Sequence, residues 1–119
     1  MDIAAMIADI RGRPDFRKAG MLLAHNGVVR GHARDGRKVK GLRVAVDHVR
    51  LDRILASQRK RPGIIDIRVA IAEDRDLAVG EDVMILVVAG DIRETVIAVL
   101  TDTLNLIKTT VTEKTEYFV

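Results

Sequence analysis

Two arginines and two lysines stand where apolar segments of this chain end: Arg30, Arg93, Lys108 and Lys114. A cation at an element end costs the fold little if its head reaches water or an anion. Several that converge would make an anion pocket. A lysine in such a pocket gives up or takes a proton readily enough to serve as a general acid or base. Any one of the four alone is most simply a solvated surface charge, so the chemistry depends on the elements that carry them. The helix start around Asp91 to Arg93 also offers free backbone N–H groups, which favour anions.

Other chemistries find little material. The chain has no cysteine, which excludes disulfides, zinc thiolates and a cysteine nucleophile. Its one serine, Ser57, lies in a helical stretch with no strand-to-helix elbow around it. His25, His32 and His48 share no metal-ligand spacing, and no Asp or Glu pattern makes a hard-cation loop, so neither metal nor cofactor is expected. Gly27 to Gly31 is not followed by Lys-Ser or Lys-Thr at phosphate-loop spacing. Asp74, Asp76, Glu81 and Asp82 cluster around a turn and read as a solvated acidic rim. His25 interrupts an apolar strand and reads as a sheet residue with its hydrogen bonds met, rather than as a base.

The elements follow from periodicity. Ile3, Met6, Ile7 and Ile10 fall at helical spacing behind Asp2 as N-cap, predicting a short helix from Asp2 to Arg11. Gly12 to Lys18 reads as a loop. Met21 to Arg30 predicts a strand with a glycine bulge at His25-Asn26-Gly27. Asp35-Gly36 is a hairpin-type signal before a strand over Val39 to Val46, whose buried face is Leu42, Val44 and Val46. Asp47 caps a second helix that carries Val49, Leu51, Ile54 and Leu55. The helix ends in Arg59-Lys60-Arg61, cations that suit a helix C-terminus. Pro62-Gly63 stops it, and Ile64 to Ile71 alternates as a strand. Glu73 to Val79 is a charged turn. Val83 to Ala89 is continuously apolar, the mark of a central strand buried on both faces. Ile92, Val96, Val99, Leu100, Leu104 and Ile107 form the apolar stripe of a long helix, and Thr109 to Phe118 predicts a closing strand. The order favours an α+β fold, helices against a mixed, mostly antiparallel sheet.

At 119 residues and 48% apolar composition the chain is expected to be one domain, residues 1–119, around one Val, Ile, Leu and Ala core. The only aromatics are Phe16, Tyr117 and Phe118, which leaves little for base stacking. The first ten residues lack a basic start and a long apolar run, and no apolar stretch reaches the ~18–20 residues of a membrane span; a soluble cytoplasmic protein is expected. The net charge of +3 hides an asymmetry: residues 1–61 carry 15 Lys/Arg against 6 Asp/Glu, and residues 62–119 carry 5 against 11. That is either a basic face for an anionic partner or two halves that pair charges across a mixed surface.

Four segments in order carry a resemblance: Asn26-Gly27-Val28-Val29-Arg30, Arg61-Pro62-Gly63-Ile64, Leu77-Ala78-Val79-Gly80-Glu81 and Ala89-Gly90-Asp91-Ile92-Arg93, followed by Lys108 and Lys114. Over about residues 20–118 the chain resembles the catalytic, large subunit of molybdopterin synthase. The resemblance implies an α/β-hammerhead-like fold and a homodimer or heterotetramer. It also implies a partner, a small ubiquitin-like sulfur carrier whose Gly-Gly C-terminus is a thiocarboxylate. Sulfur would pass from it to cyclic pyranopterin monophosphate, forming molybdopterin in molybdenum cofactor biosynthesis. By position, Lys108 corresponds to the family's catalytic lysine. Lys114 corresponds to a second one, opening a Lys114-Thr115-Glu116 triplet. Val28, Val29 and Arg30 would line the substrate pocket, and Ile92 and Arg93 would bind substrate or the incoming tail. Ile92 stands where the family carries histidine, Ala72-Glu73-Asp74-Arg75 replaces a His-Arg-Ile-Gly segment, and the two lysines are one residue closer than usual. These departures mark a divergent member.

The departures also motivate an alternative, a non-catalytic carrier- or pterin-binding paralogue of the same fold. A third reading, a nucleic-acid-binding module on the basic first half, is disfavoured by the scarcity of aromatics and the acidic second half.

Overall fold

The computed structural model describes residues 1–119. In chain order the elements are α1 (Ile3–Arg11), a 3-10 turn (Pro14–Lys18), β1 (Met21–Val28), β2 (Val39–Val46), α2 (His48–Arg59), β3 (Ile64–Ile71), β4 (Leu77–Ala78), β5 (Asp82–Gly90), α3 (Arg93–Thr110) and β6 (Thr112–Phe118). Two three-stranded antiparallel sheets result, in the orders β1-β5-β3 and β4-β2-β6. This is the expected α+β class.

The apolar run of β5 takes the centre of the first sheet. Met84, Leu86 and Val88 face α2 and α3 in the main core, and Ile85, Val87 and Ala89 face Ile10 of α1. Helices on both faces explain why the strand is apolar without alternation. Asp2 caps α1 by accepting from the Ala5 N–H, and Asp47 caps α2 by accepting from the Arg50 N–H, both at 3.1 Å. α3 buries Val96, Val99, Thr103 and Ile107. Thr103 sits in that stripe because its hydroxyl accepts a 3.0 Å hydrogen bond from the buried Gln58 amide of α2, which locks the two helices together.

Three expectations are corrected. The hairpin signal at Asp35-Gly36 is real: Gly36 has φ +88°, and His32 bridges Lys38 above it. Yet it does not pair β1 with β2. They diverge into separate sheets, because β1 finds β5 and β2 finds β6. Second, Leu77 and Ala78, read as part of a charged turn, form a short edge strand on Gly41 and Leu42. Gly41 has no side chain to obstruct the Leu77 carbonyl, which a Cβ would meet at 2.5 Å. Third, Thr109 and Thr110 belong to α3 rather than to the closing strand. Their hydroxyls donate to the Asn105 and Leu106 carbonyls at 2.8 and 2.6 Å, which satisfies β-branched threonines inside a helix end.

The helix-to-strand link at Val111 sets the site. Val111 is buried, its N–H donates to the Ile107 carbonyl, and its carbonyl accepts from Asp47 N–H. A one-residue reversal therefore folds β6 back beside the end of α3.

Candidate functional site

Lys108 and Lys114, six residues apart, lie on either side of that reversal and enter one cavity of about 330 Å³. α3 buries Ile107 and leaves Lys108, the next residue round the helix, exposed. Lys114 is oriented by register: it pairs with Val44, and Thr112 with Val46, so Lys114 and Thr112 share the β2 face that Leu42 and Val44 bury. The far end of β6 is held by Tyr117, whose hydroxyl donates to Asp76 at 2.9 Å, and by Arg37 stacked on Phe118 at 3.8 Å.

The opposite wall comes from β1 and β5. The register slips between Gly27 and Val28, which face Met84 and Asp82 and leave Val83 as the extra residue. That bulge lets consecutive residues, Gly27 with Val28 and Val83 with Met84, line the same cavity, as strict alternation would not. The glycine bulge expected in β1 is therefore corrected: the extra residue is Val83 of β5, opposite Gly27 and Val28, and it is part of the site. Leu42, Val44, Ile71 and Thr112 complete the wall, and Arg34 reaches it from the loop between β1 and β2.

Three cations, Arg34, Lys108 and Lys114, line this space, and no carboxylate does. The one ion pair among them joins Lys114 to Glu116 at 3.9 Å, with the lysine side chain 56% exposed, a weak tie. Such a cavity attracts anions.

His25 is the exception in its wall. It pairs with Leu86 across β1 and β5, which turns its ring toward the α3 side of the sheet. Nε2 is buried and has no hydrogen-bond partner. This corrects the reading of His25 as a satisfied sheet residue, and an unpaired buried nitrogen of this kind costs about 1–3 kcal/mol. Burial, and then the charge of Lys108, pushes the imidazole pKa below its ordinary value. The ring is therefore neutral near pH 7.

The remaining residues singled out in the sequence are placed as follows. Val28 lines the cavity and is exposed. Val29, 3% exposed, turns the other way into a small core with Leu42, Val44, Ala72 and Leu77. Arg30 is exposed and donates to the His32 carbonyl at 2.9 Å, bracing the loop that carries Arg34. Glu116 shares the Lys114 face of β6, one pair further along, whereas Thr115 pairs with Arg43 on the opposite face. Ile92 and Arg93 open α3 and are 54% and 75% exposed. Fifteen residues of helix put Arg93 about 22 Å from Lys108 along the axis, so one chain does not bring them together. Arg34 was missed because a polar loop gives an arginine no periodicity to read. The signal for His25 was present, a polar ring on the inward side of an apolar strand.

The basic run at the end of α2 is structural. Arg59 donates to the Ile67 carbonyl at 2.7 Å and Arg61 pairs with Asp102 at 2.7 Å. The acidic rim is tied down as well: Asp76 accepts from Arg43 and Tyr117, and Glu81 accepts from the Ala78 N–H.

The family described as MoaE protein matches residues 1–110. Among solved structures, the MoaE protein of Burkholderia ambifaria MC40-6 aligns at TM-score 0.78 and 21% identity, covering 100% of this chain and 82% of its own. The molybdopterin cofactor biosynthesis protein E of Burkholderia multivorans ATCC 17616 aligns at TM-score 0.77 and 24% identity, over 100% and 84%. Molybdopterin synthase from Staphylococcus aureus aligns at TM-score 0.72 and 19% identity, over 86% and 77%. No curated protein matches in sequence. At these identities the structures speak for the fold, and the match over nearly the whole length speaks for descent: the chain belongs to the MoaE family, the catalytic large subunits of molybdopterin synthase in molybdenum cofactor biosynthesis.

Proposed function

We propose that this chain transfers sulfur from the C-terminal thiocarboxylate of a small ubiquitin-like carrier to cyclic pyranopterin monophosphate, with Lys108 and Lys114 as its catalytic residues. The observation that carries the reading is the convergence of Lys108, Lys114 and Arg34 on one cavity free of carboxylates. Both reactants are anions, and a phosphate-bearing heterocycle suits a space of about 330 Å³.

The chemistry asked of the lysines is modest. When the carrier's thiocarboxylate sulfur bonds to a side-chain carbon of the pterin, the oxygen on that carbon leaves, protonated, as water, and the carrier is held as a thioester. Water adding to the carbonyl makes a tetrahedral oxyanion, which collapses to a carrier carboxylate and leaves sulfur on the pterin. A lysine ammonium beside that oxyanion stabilises the charge as it forms. The second lysine supplies or takes the proton that water and the departing sulfur exchange. In this reading Val28 meets the substrate, Val29 anchors that segment from the core behind it and Arg30 braces the loop that carries Arg34. Thr115 and Glu116 set the tail that carries Lys114.

Ile92 and Arg93 serve this cavity from a second copy of the chain, since their own Lys108 lies about 22 Å away along α3. A homodimer, or a heterotetramer with two carriers, is therefore part of the proposal. A Helicobacter pylori 26695 structure with the same fold (TM-score 0.73, 14% identity, 100% of this chain and 84% of that one) is a complex of subunits 1 and 2 of molybdopterin-converting factor, which supports a small-subunit partner. No helix here is long and apolar enough to cross a membrane, and we place the reaction in the cytoplasm.

The test is a single-turnover assay with the purified chain, thiocarboxylated carrier and cyclic pyranopterin monophosphate, read as molybdopterin formed. Product from the wild type, and formation slowed by roughly 10²–10³-fold in Lys108→Ala, is the expected result. The presence of Ile92 where the family carries histidine favours the second reading, a non-catalytic paralogue; tight carrier binding with no product from the wild type would select it.

A further inference from the structure

The cations of the cavity leave one polar atom unexplained. His25 lines the same cavity, and its Nε2, turned away from solvent, is buried and unpartnered. Nothing in the fold requires a histidine there. Its neighbours on that face of the strand, Leu23 and Gly27, are apolar, and its cross-strand partner is Leu86. A leucine or phenylalanine would fill the position without stranding a nitrogen. The local chain also makes room for the ring. A Cβ on Gly27 would stand 3.3 Å from Nε2, closer than side chains ordinarily pack, so glycine leaves the imidazole space to pivot into the cavity.

We propose that His25 is a substrate-positioning residue whose Nε2 hydrogen-bonds to a neutral polar edge of the bound heterocycle, while Arg34, Lys108 and Lys114 hold its anionic end. The inference rests on the reading given under Proposed function and adds to it a specificity contact that the cations do not provide. A neutral imidazole suits the task. The charged groups that face the cavity are Arg34 from the loop, Lys108 from α3 and Lys114 from β6, all cations, whereas β2, β3 and β5 contribute apolar side chains. Nothing there stabilises an imidazolium. A neutral ring discriminates by hydrogen bonding rather than by charge, and a site built that way rejects analogues that lack the matching group.

The experiment compares two probes on the intact chain, cyclic pyranopterin monophosphate and inorganic phosphate, by calorimetry and by ¹H–¹⁵N spectra of the imidazole. The expected results are a change in the His25 Nε2 resonance with the pterin and none with phosphate alone. Affinity for the pterin falls about tenfold in His25→Phe, the loss of one hydrogen bond, and phosphate affinity is unchanged. KM rises with kcat within about twofold, and His25→Gln, which retains a hydrogen-bonding amide, recovers most of the affinity. Wild-type binding with an unmoved Nε2 resonance, or equal losses in the Phe and Gln variants, would overturn the positioning role and leave the functional reading standing. Failure of the wild type to bind the pterin would instead overturn that reading, and this inference with it.

Discussion

Asp66 and Lys108 mark two charged regions of this chain built on opposite terms. Asp66 of β3, 5% exposed, is ringed by Arg68 at 2.9 Å, Arg59 at 3.4 Å and Arg13 at 3.5 Å. Arg13 also pairs with Asp15, and Arg68 with Asp9. Three arginines thus meet three aspartates, and they tie α1, the 3-10 turn, α2 and β3 together. The cavity around Lys108 holds three cations and no carboxylate. Where charge serves the fold its partners are supplied from within; where it is left without them, the missing partner is an anion from outside. Charge density alone does not separate the two cases, and internal compensation does.

That contrast is broken most sharply by exchanging what each region is asked to do. Lys108→Ala is expected to slow molybdopterin formation by roughly 10²–10³-fold, about 3–4 kcal/mol of transition-state stabilisation. Its thermal midpoint stays at the wild-type value, since the side chain is exposed and makes no ion pair. Asp66→Ala should do the reverse. It removes the carboxylate that Arg13, Arg59 and Arg68 share, leaving Arg13 with Asp15 and Arg68 with Asp9, and takes the acceptor from the Ile67 N–H. The cost is about 2–3 kcal/mol, below the range for a completely buried pair. That is a fall of roughly 10 °C in Tm, with per-molecule turnover near normal below the transition. Calorimetry beside single-turnover kinetics separates the two; a Lys108→Ala protein that melts early would erase the distinction.

Arg34 offers a finer division within the cavity. It is exposed and outside the core, so Arg34→Ala should leave the fold unchanged and weaken phosphate binding roughly tenfold, one charge-assisted contact. The salt dependence of binding should flatten with it. Unchanged affinity at low ionic strength would remove Arg34 from the anion site.

How far these regions could be read beforehand differs for a physical reason. Periodicity reports faces, so the two-sided burial of β5, the stripe of α3 and the caps Asp2 and Asp47 were legible. It does not report partners. β1 pairs with a strand that begins more than fifty residues later, and that non-local choice sends β1 and β2 into different sheets despite the turn between them. The two lysines converge through the reversal at Val111, to which the resemblance pointed and composition did not. The Asp66 cluster draws residues from α1, the link after it, the 3-10 turn, α2 and β3, so no local pattern announces it.

Two histidines carry the comparison to its smallest scale, since their environments shift them in opposite directions. His25 is depressed by burial and then by Lys108, so the folded state binds its proton less readily than the unfolded one. Its contribution is complete above the unfolded value, near pH 6.5, and is lost as pH falls through the folded one. His48 is raised by its 2.7 Å hydrogen bond to Glu73 and then by that carboxylate's charge. Its contribution is complete below about pH 6.5 and is lost as pH rises through the folded value. Denaturant midpoints measured from pH 5 to 8 should therefore move in opposite senses. His25→Phe gains on the wild type toward pH 5 and the gain shrinks toward neutrality. His48→Ala loses toward pH 5 and matches the wild type at pH 8. The second effect is the smaller, because His48 and Glu73 meet in solvent and salt screens them. Adding 0.5 M salt should abolish it while leaving the His25 difference in place, since burial is the larger part of that shift.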